Sequence, residues 1–171
     1  FRTLSDTWGF RNYHEFAFGS KPDPEGNVWV ALCLSKSYHS DVPFRGWCLK
    51  VTPDGKTLPV CSGIRSPCGI GPNEHGVMFY AESQGPWNGS CSLKVLEQGG
   101  FMGHPVSFKW YDLAKEMGEK PVEPNTRSRL LTERKRVKEL VPYAVVFPYI
   151  KMGRSISGYM VDRTGGKFGP F

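Results

Sequence analysis

Between Ser62 and Pro105 the chain reads SGIRSPCGIGPNEHGVMFYAESQGPWNGSCSLKVLEQGGFMGHP, and its polar residues sit in Gly-rich segments flanking a short apolar run. Arg65 would supply a permanent cation with a planar fork of donors. Ser66 adds a hydroxyl and Gln84 an amide, while Gly85 and Pro86 continue a turn. Far upstream, His14 lies among Tyr13, Phe16 and Phe18. Polar groups in such Gly-rich loops are candidates for a site. Each residue also has a structural reading. His14 is then an aromatic-packed histidine, Arg65 a donor anchoring a loop to backbone carbonyls, and Gln84-Gly85-Pro86 a tight turn.

The elements that would hold these groups are short strands. Val77-Met-Phe-Tyr-Ala81 is a β-forming run, with Gly76 before it and Gln84-Gly85-Pro86 after it as turns. Tyr13 to Phe18 alternates in a β-like manner, with His14 on the face of Phe16 and Phe18. Strands are predicted at Val28–Cys33, Gly46–Val51 and Thr57–Cys61, separated by turns at residues 22–27 and 52–55. Loops at strand ends are where rigid scaffolds carry function.

Gly26-Asn-Val-Trp-Val-Ala-Leu32 and Gly76-Val-Met-Phe-Tyr-Ala-Glu82 both place a turn glycine before an apolar strand, 50 residues apart. Repeats of about 40 to 50 residues mark propeller blades. With twenty Gly and fourteen Pro punctuating short apolar runs, the expected class is all-β, a partial β-propeller of about three blades. A ring is expected to need flanking sequence, a partner chain or the rest of a larger protein. The pattern changes between about residues 108 and 141. Trp110, Leu113, Ala114 and Met117 follow a helical spacing, and a basic helix is predicted from about Arg127 to Leu140. Both belong to a small helical insertion within one domain spanning 1–171. β signals resume at Tyr143–Phe147 and Gly158–Val161.

The formal charge is +6, and the basic segment around Arg127–Glu139 accounts for four of those charges, so one solvated face explains most of the excess and nucleic acid is disfavoured as a partner. No apolar run reaches the roughly 20 residues a membrane-spanning helix needs. The five cysteines form no CxxC or zinc spacing; they are read as small buried residues, with a Cys61–Cys68 bridge as the alternative in an oxidising compartment. Asn88-Gly89-Ser90 matches a glycosylation acceptor.

The run Gly63-Ile-Arg-Ser-Pro-Cys-Gly69, the strand, Ser83-Gln-Gly-Pro86 and Gly99-Gly-Phe-Met-Gly-His-Pro105 together resemble the soluble quinoprotein glucose and sorbosone dehydrogenases, as do Tyr13-His-Glu15 and Trp47–Gly55 upstream. The resemblance covers about residues 13 to 105. It implies a six-bladed propeller that binds pyrroloquinoline quinone (PQQ) with calcium, oxidises a sugar or other alcohol, and works in the periplasm or outside the cell. By the same resemblance, His14 would be the general base. Arg65, Ser66 and Gln84 would contact the quinone, and Gly85 and Pro86 would offer carbonyls to calcium. Three positions depart from the family pattern: Ser66 stands for an asparagine, Leu34 for the acidic residue that orients the histidine, and Trp87-Asn88-Gly89-Ser90 for an acidic pair. The alternative reading is a non-catalytic propeller that binds carbohydrate or a protein partner.

Overall fold

The computed structural model describes residues 2–167. In chain order its strands are β1 (Ala17–Pro22), β2 (Val28–Leu32), β3 (Trp47–Val51), β4 (Thr57–Ser62), β5 (Pro67–Pro72), β6 (Met78–Glu82), β7 (Cys91–Val95), β8 (Gly100–Phe101) and β9 (Val145–Phe147). The first four pair as an antiparallel meander, and β8 adds alongside β4 in parallel. The second sheet runs β5-β6-β7-β9, all antiparallel. The expectation of an all-β chain therefore holds.

The repeat is visible bond by bond. In the β1–β2 turn, Asp23 N–H donates to Asn27 O at 2.9 Å and Gly26 N–H to Asp23 O at 3.0 Å; fifty residues on, Asn73 donates to Val77 at 2.8 Å and Gly76 to Asn73 at 3.1 Å. Gly26 and Gly76 adopt φ of 81° and 80°, a left-handed conformation that glycine enters at little steric cost. At the open end of each hairpin, Cys33 N–H donates to Phe16 O and Ser83 N–H to Ser66 O, both at 3.2 Å.

Strand alternation divides the first sheet between two cores. Ala31 and Cys48, with Val60, Cys61 and Ile64, face Ile70, Met78 and Tyr80 of the second sheet. Val30, Leu32, Trp47 and Leu49 point the other way, onto Tyr111 and Ala114. The sheets approach most closely where β1 meets β5: a Cβ on Gly19 would lie 1.9 Å from Ile70 Cγ2.

The helical insertion differs from expectation in kind. Residues Pro105–Leu113 and Lys115–Met117 form 3-10 turns. Phe108, Tyr111, Ala114 and Met117 pack on the first sheet, whereas Leu113 is exposed. Their spacing of three residues is the period of a 3-10 helix, in which side chains at i and i+3 eclipse. The basic helix shrinks to one turn, Leu130–Glu133 (α1). Beyond it Arg134 Nε donates to Leu140 O at 2.7 Å, and Arg136 donates to Glu123 O and Glu133, both at 2.7 Å. These arginines are spent on tying down a loop, and the contacts stand in place of a continuing helix.

The described residues form two sheets, where three blades were expected. Residues 145–147 complete the second sheet. Around Gly158 the chain is not a strand but lies against β5, with Gly158 Cα 2.7 Å from where a Gly69 Cβ would be. Tyr159 there donates its hydroxyl to Gly71 O and Phe79 O. Two glycines on one face of β5 leave the groove this segment fills.

Gly19→Val should destabilise the chain by about 2 kcal/mol or more, since both the φ of 107° and the space are wrong for a side chain. Gly99→Ala, with φ 78° but open surroundings, should cost only about 1 kcal/mol. Urea unfolding of the two variants checks the difference.

Candidate functional site

Because the β1–β2 and β5–β6 hairpins repeat each other, the segments entering β1 and β5 and those leaving β2 and β6 emerge at the same end of the two sheets. This brings His14, the loop 35–39, Arg65-Ser66 and Gln84–Asn88 to one end. A cleft of about 450 Å³ opens between the hairpins there, lined by His14, Lys36, Ser66, Cys68 and Ser83 among others.

Glu82, at the end of β6, is almost completely buried. Its Oε1 accepts the backbone N–H groups of Arg65 and Ser66, both at 2.8 Å, and its Oε2 accepts the Tyr80 hydroxyl. Burial pushes the Tyr80 phenol well above its usual pKa, and the neighbouring carboxylate adds to this. Lys94, equally buried, donates to Met102 O at 2.6 Å and lies 5.0 Å from the centre of the Tyr143 ring. Burial lowers its pKa to about 8, against the opposing pull of Glu82. The reading of the sequence passed over Glu82; a carboxylate closing an apolar strand was the available signal.

Arg65 sits over Tyr38, 5.1 Å from its ring centre, and donates from Nη1 to Gln84 O at 2.9 Å. Its Nε is buried with no partner, so the guanidinium keeps a donor to spare. A Cβ on Gly85 would fall 2.5 Å from that guanidinium, so glycine is what allows the close approach. Gln84 thus meets Arg65 through its main-chain carbonyl. Gly85 to Asn88 form a turn: Gly85 N–H donates to Asn88 O at 2.8 Å, and Asn88 N–H to Gly85 O at 3.0 Å.

His14 is exposed, with its ring centre 4.0 Å from that of Tyr13. The one acidic neighbour in sequence, Glu15, is buried and spent elsewhere, accepting from Ser35 Oγ and from the N–H groups of Arg11 and Asn12. Burial alone would raise its pKa; those bonds, with Arg45 nearby, outweigh that and lower it. Leu34 is fully buried, and its N–H donates to Arg65 O at 3.0 Å. Neither residue offers His14 a carboxylate.

Two cofactors follow from the resemblance, and the chain fits them unequally. For the quinone, Ser66 lines the cleft, but the Arg65 guanidinium itself fills the space over Gly85 with its Nε buried, so only Nη2, 3.5 Å from the Tyr38 hydroxyl, is left to meet an electron-rich carbonyl group. For calcium, Gly85 and Pro86 offer two carbonyl oxygens of the six to eight this ion takes, and one already accepts a turn hydrogen bond. No cluster of three His, Cys, Asp or Glu side chains that could hold a metal occurs among the described residues.

All five cysteines are free. Cys61 faces Cys48 across β3–β4, while Cys68 Sγ lies 3.1 Å from Ser83 Oγ, so the alternative Cys61–Cys68 bridge is not formed. Asn88 of the glycosylation motif is buried, 3% exposed, which removes it from an acceptor's position. His104 is also buried, against Trp87 at 4.9 Å, and neither ring nitrogen has a partner. Burial, with Arg65 adding to it, lowers its pKa to about 4. No helix among the described residues is long and apolar enough to cross a membrane. No family model matches the chain, and no curated protein or solved structure is significantly similar to it.

The unfolded chain holds His104 at its ordinary pKa of 6.5, above the folded value of about 4, so between these values the unfolded state binds more protons. The stability this difference confers is complete above pH 6.5 and is lost as pH falls toward 4, by at most about 3 kcal/mol. His104→Leu should flatten that part of the curve. Urea midpoints at pH 7 and pH 4.5 for both proteins measure it.

Proposed function

We propose that the two sheets are neighbouring blades of a propeller of the quinoprotein sugar dehydrogenase kind, and that the cleft between their hairpins receives a sugar or other alcohol for oxidation outside the cytoplasm. The observation that carries this reading is the convergence of His14, from the segment before β1, and Ser66, from the loop before β5, on one cleft. The close packing of β1 on β5 and the 50-residue repeat support the blade arrangement. Further blades, from the same protein or a partner chain, would complete the ring.

PQQ, when bound, supplies the two-electron acceptor. The protein's part is placement and proton handling. His14, exposed on the cleft, takes the hydroxyl proton of the substrate at an imidazole nitrogen as the adjacent carbon is oxidised. Arg65, fixed by Gln84 O and Tyr38 next to Ser66 in the chain, adds a permanent positive charge to the same end of the sheets. Phe16 and Phe18 give the cleft apolar walls, which suit the C–H faces of a sugar. Calcium would need ligands beyond Gly85 and Pro86.

A second reading, a propeller that binds carbohydrate or a protein partner without catalysis, is favoured by one observation. His14 has no carboxylate to orient it, because Glu15 is committed to Ser35 and to backbone N–H groups. The two readings separate on the protein supplied with PQQ, calcium and an aldose. Dye reduction that falls 10²- to 10⁴-fold in His14→Ala is expected for the dehydrogenase. Sugar binding with no dye reduction at any aldose concentration would leave the second reading.

A further inference from the structure

We infer that a second saccharide subsite lies on the far side of the Gly85–Asn88 turn, between Trp87-Asn88 and the loop 125–128. It takes one or two neutral sugar units. A hollow of about 560 Å³ opens there, within the range of small-ligand sites. It is separate from the cleft at His14 and does not depend on the reading of that cleft.

Three observations converge on it. Asn88 lines the hollow, is 3% exposed, and has both amide atoms buried without a partner. A buried primary amide left with all its hydrogen-bonding capacity is costly and rare, and it is satisfied when a ligand supplies hydroxyls. Trp87, beside it, has φ 59°, a left-handed conformation that is a genuine outlier for a bulky residue and is characteristic of functional constraint. The strained turn is held from both sides: the indole N–H donates to Pro124 O at 3.3 Å, and the ring meets His104 edge-on at 4.9 Å. Finally, Thr126 and Ser128 supply hydroxyls from the opposite wall.

The chemistry selects the ligand class. Only Arg127 and Glu133 among the lining residues are charged, so the hollow carries no net charge. Glu133 is further committed to Arg136 at 2.7 Å and to Asn125 N–H at 2.9 Å. Arg127 is left as the one unspent charge, and it stands exposed, where solvent screens it. An aromatic ring, an amide with free donor and acceptor, and hydroxyls on the facing wall together match the apolar face and ring hydroxyls of a neutral sugar.

The test is titration of the ¹⁵N-labelled chain with D-glucose, maltose and D-glucuronate, followed at the Trp87 indole N–H and the Asn88 side-chain amide. Saturable shifts are expected with glucose or maltose, with glucuronate binding no more tightly. Asn88→Leu removes the unsatisfied amide, so it should weaken binding at least tenfold without lowering the thermal midpoint. Thr126→Val, on the exposed wall, should weaken binding several-fold and serves if Asn88→Leu does not fold. His14→Ala should leave these shifts within twofold, so failure of the catalytic reading does not touch this one. The inference is overturned if neither neutral sugar gives saturable shifts, if glucuronate binds at least tenfold more tightly than glucose, or if binding survives unchanged in the folded Asn88 or Thr126 variant.

Discussion

A single buried carboxylate organises the end of the two sheets that carries the candidate site. Burying Glu82 costs several kcal/mol of lost hydration unless the charge is met by donors. Here two backbone N–H groups, a phenol and the field of buried Lys94 meet it. The two N–H groups belong to Arg65 and Ser66, so satisfying the charge fixes the loop that carries the candidate site. The linkage continues through backbone. Arg65 O accepts from Leu34 N–H, and the adjacent Cys33 Sγ donates to His14 O at 3.2 Å. His14 and Arg65 are therefore joined through a short chain of hydrogen bonds running across both hairpins.

That linkage explains which parts of the molecule were legible in the sequence. The repeat was readable because it is written in turn residues: Gly26 and Gly76 each need left-handed backbone, and each precedes a strand. The repeat also sets the segments before β1 and β5, with the candidate residues they carry, at one end of the two hairpins. Glu82 stood out only as a carboxylate closing an apolar strand; its partners were not readable, because they lie on a loop 16 or 17 residues upstream that returns to the end of β6. Local propensity carries no information on that return. The same holds for Asn88, which matches a surface motif yet is buried in the fold.

The helical segments failed for a different reason. Trp110, Leu113, Ala114 and Met117 satisfy an α-helical stripe on paper, but Phe108, Tyr111, Ala114 and Met117 satisfy a three-residue period equally well. Pro105 at the start and the bond from Trp47 Nε1 to Ser107 O at 2.9 Å anchor the tighter form on the first sheet. In the basic segment, side-chain bonds from Arg134 and Arg136 to carbonyls bind irregular backbone, a competition that propensity scales do not count. Tertiary partners decided both cases.

The account stands on Glu82 holding the loop before β5 in place, and amide hydrogen exchange at Arg65 and Ser66 reads this directly. Both N–H groups should exchange as slowly as those of the central strands, and Glu82→Gln should accelerate them selectively while β2 and β3 remain protected. Rapid exchange at Arg65 and Ser66 in the unaltered chain, or protection that survives Glu82→Gln undiminished, would contradict it.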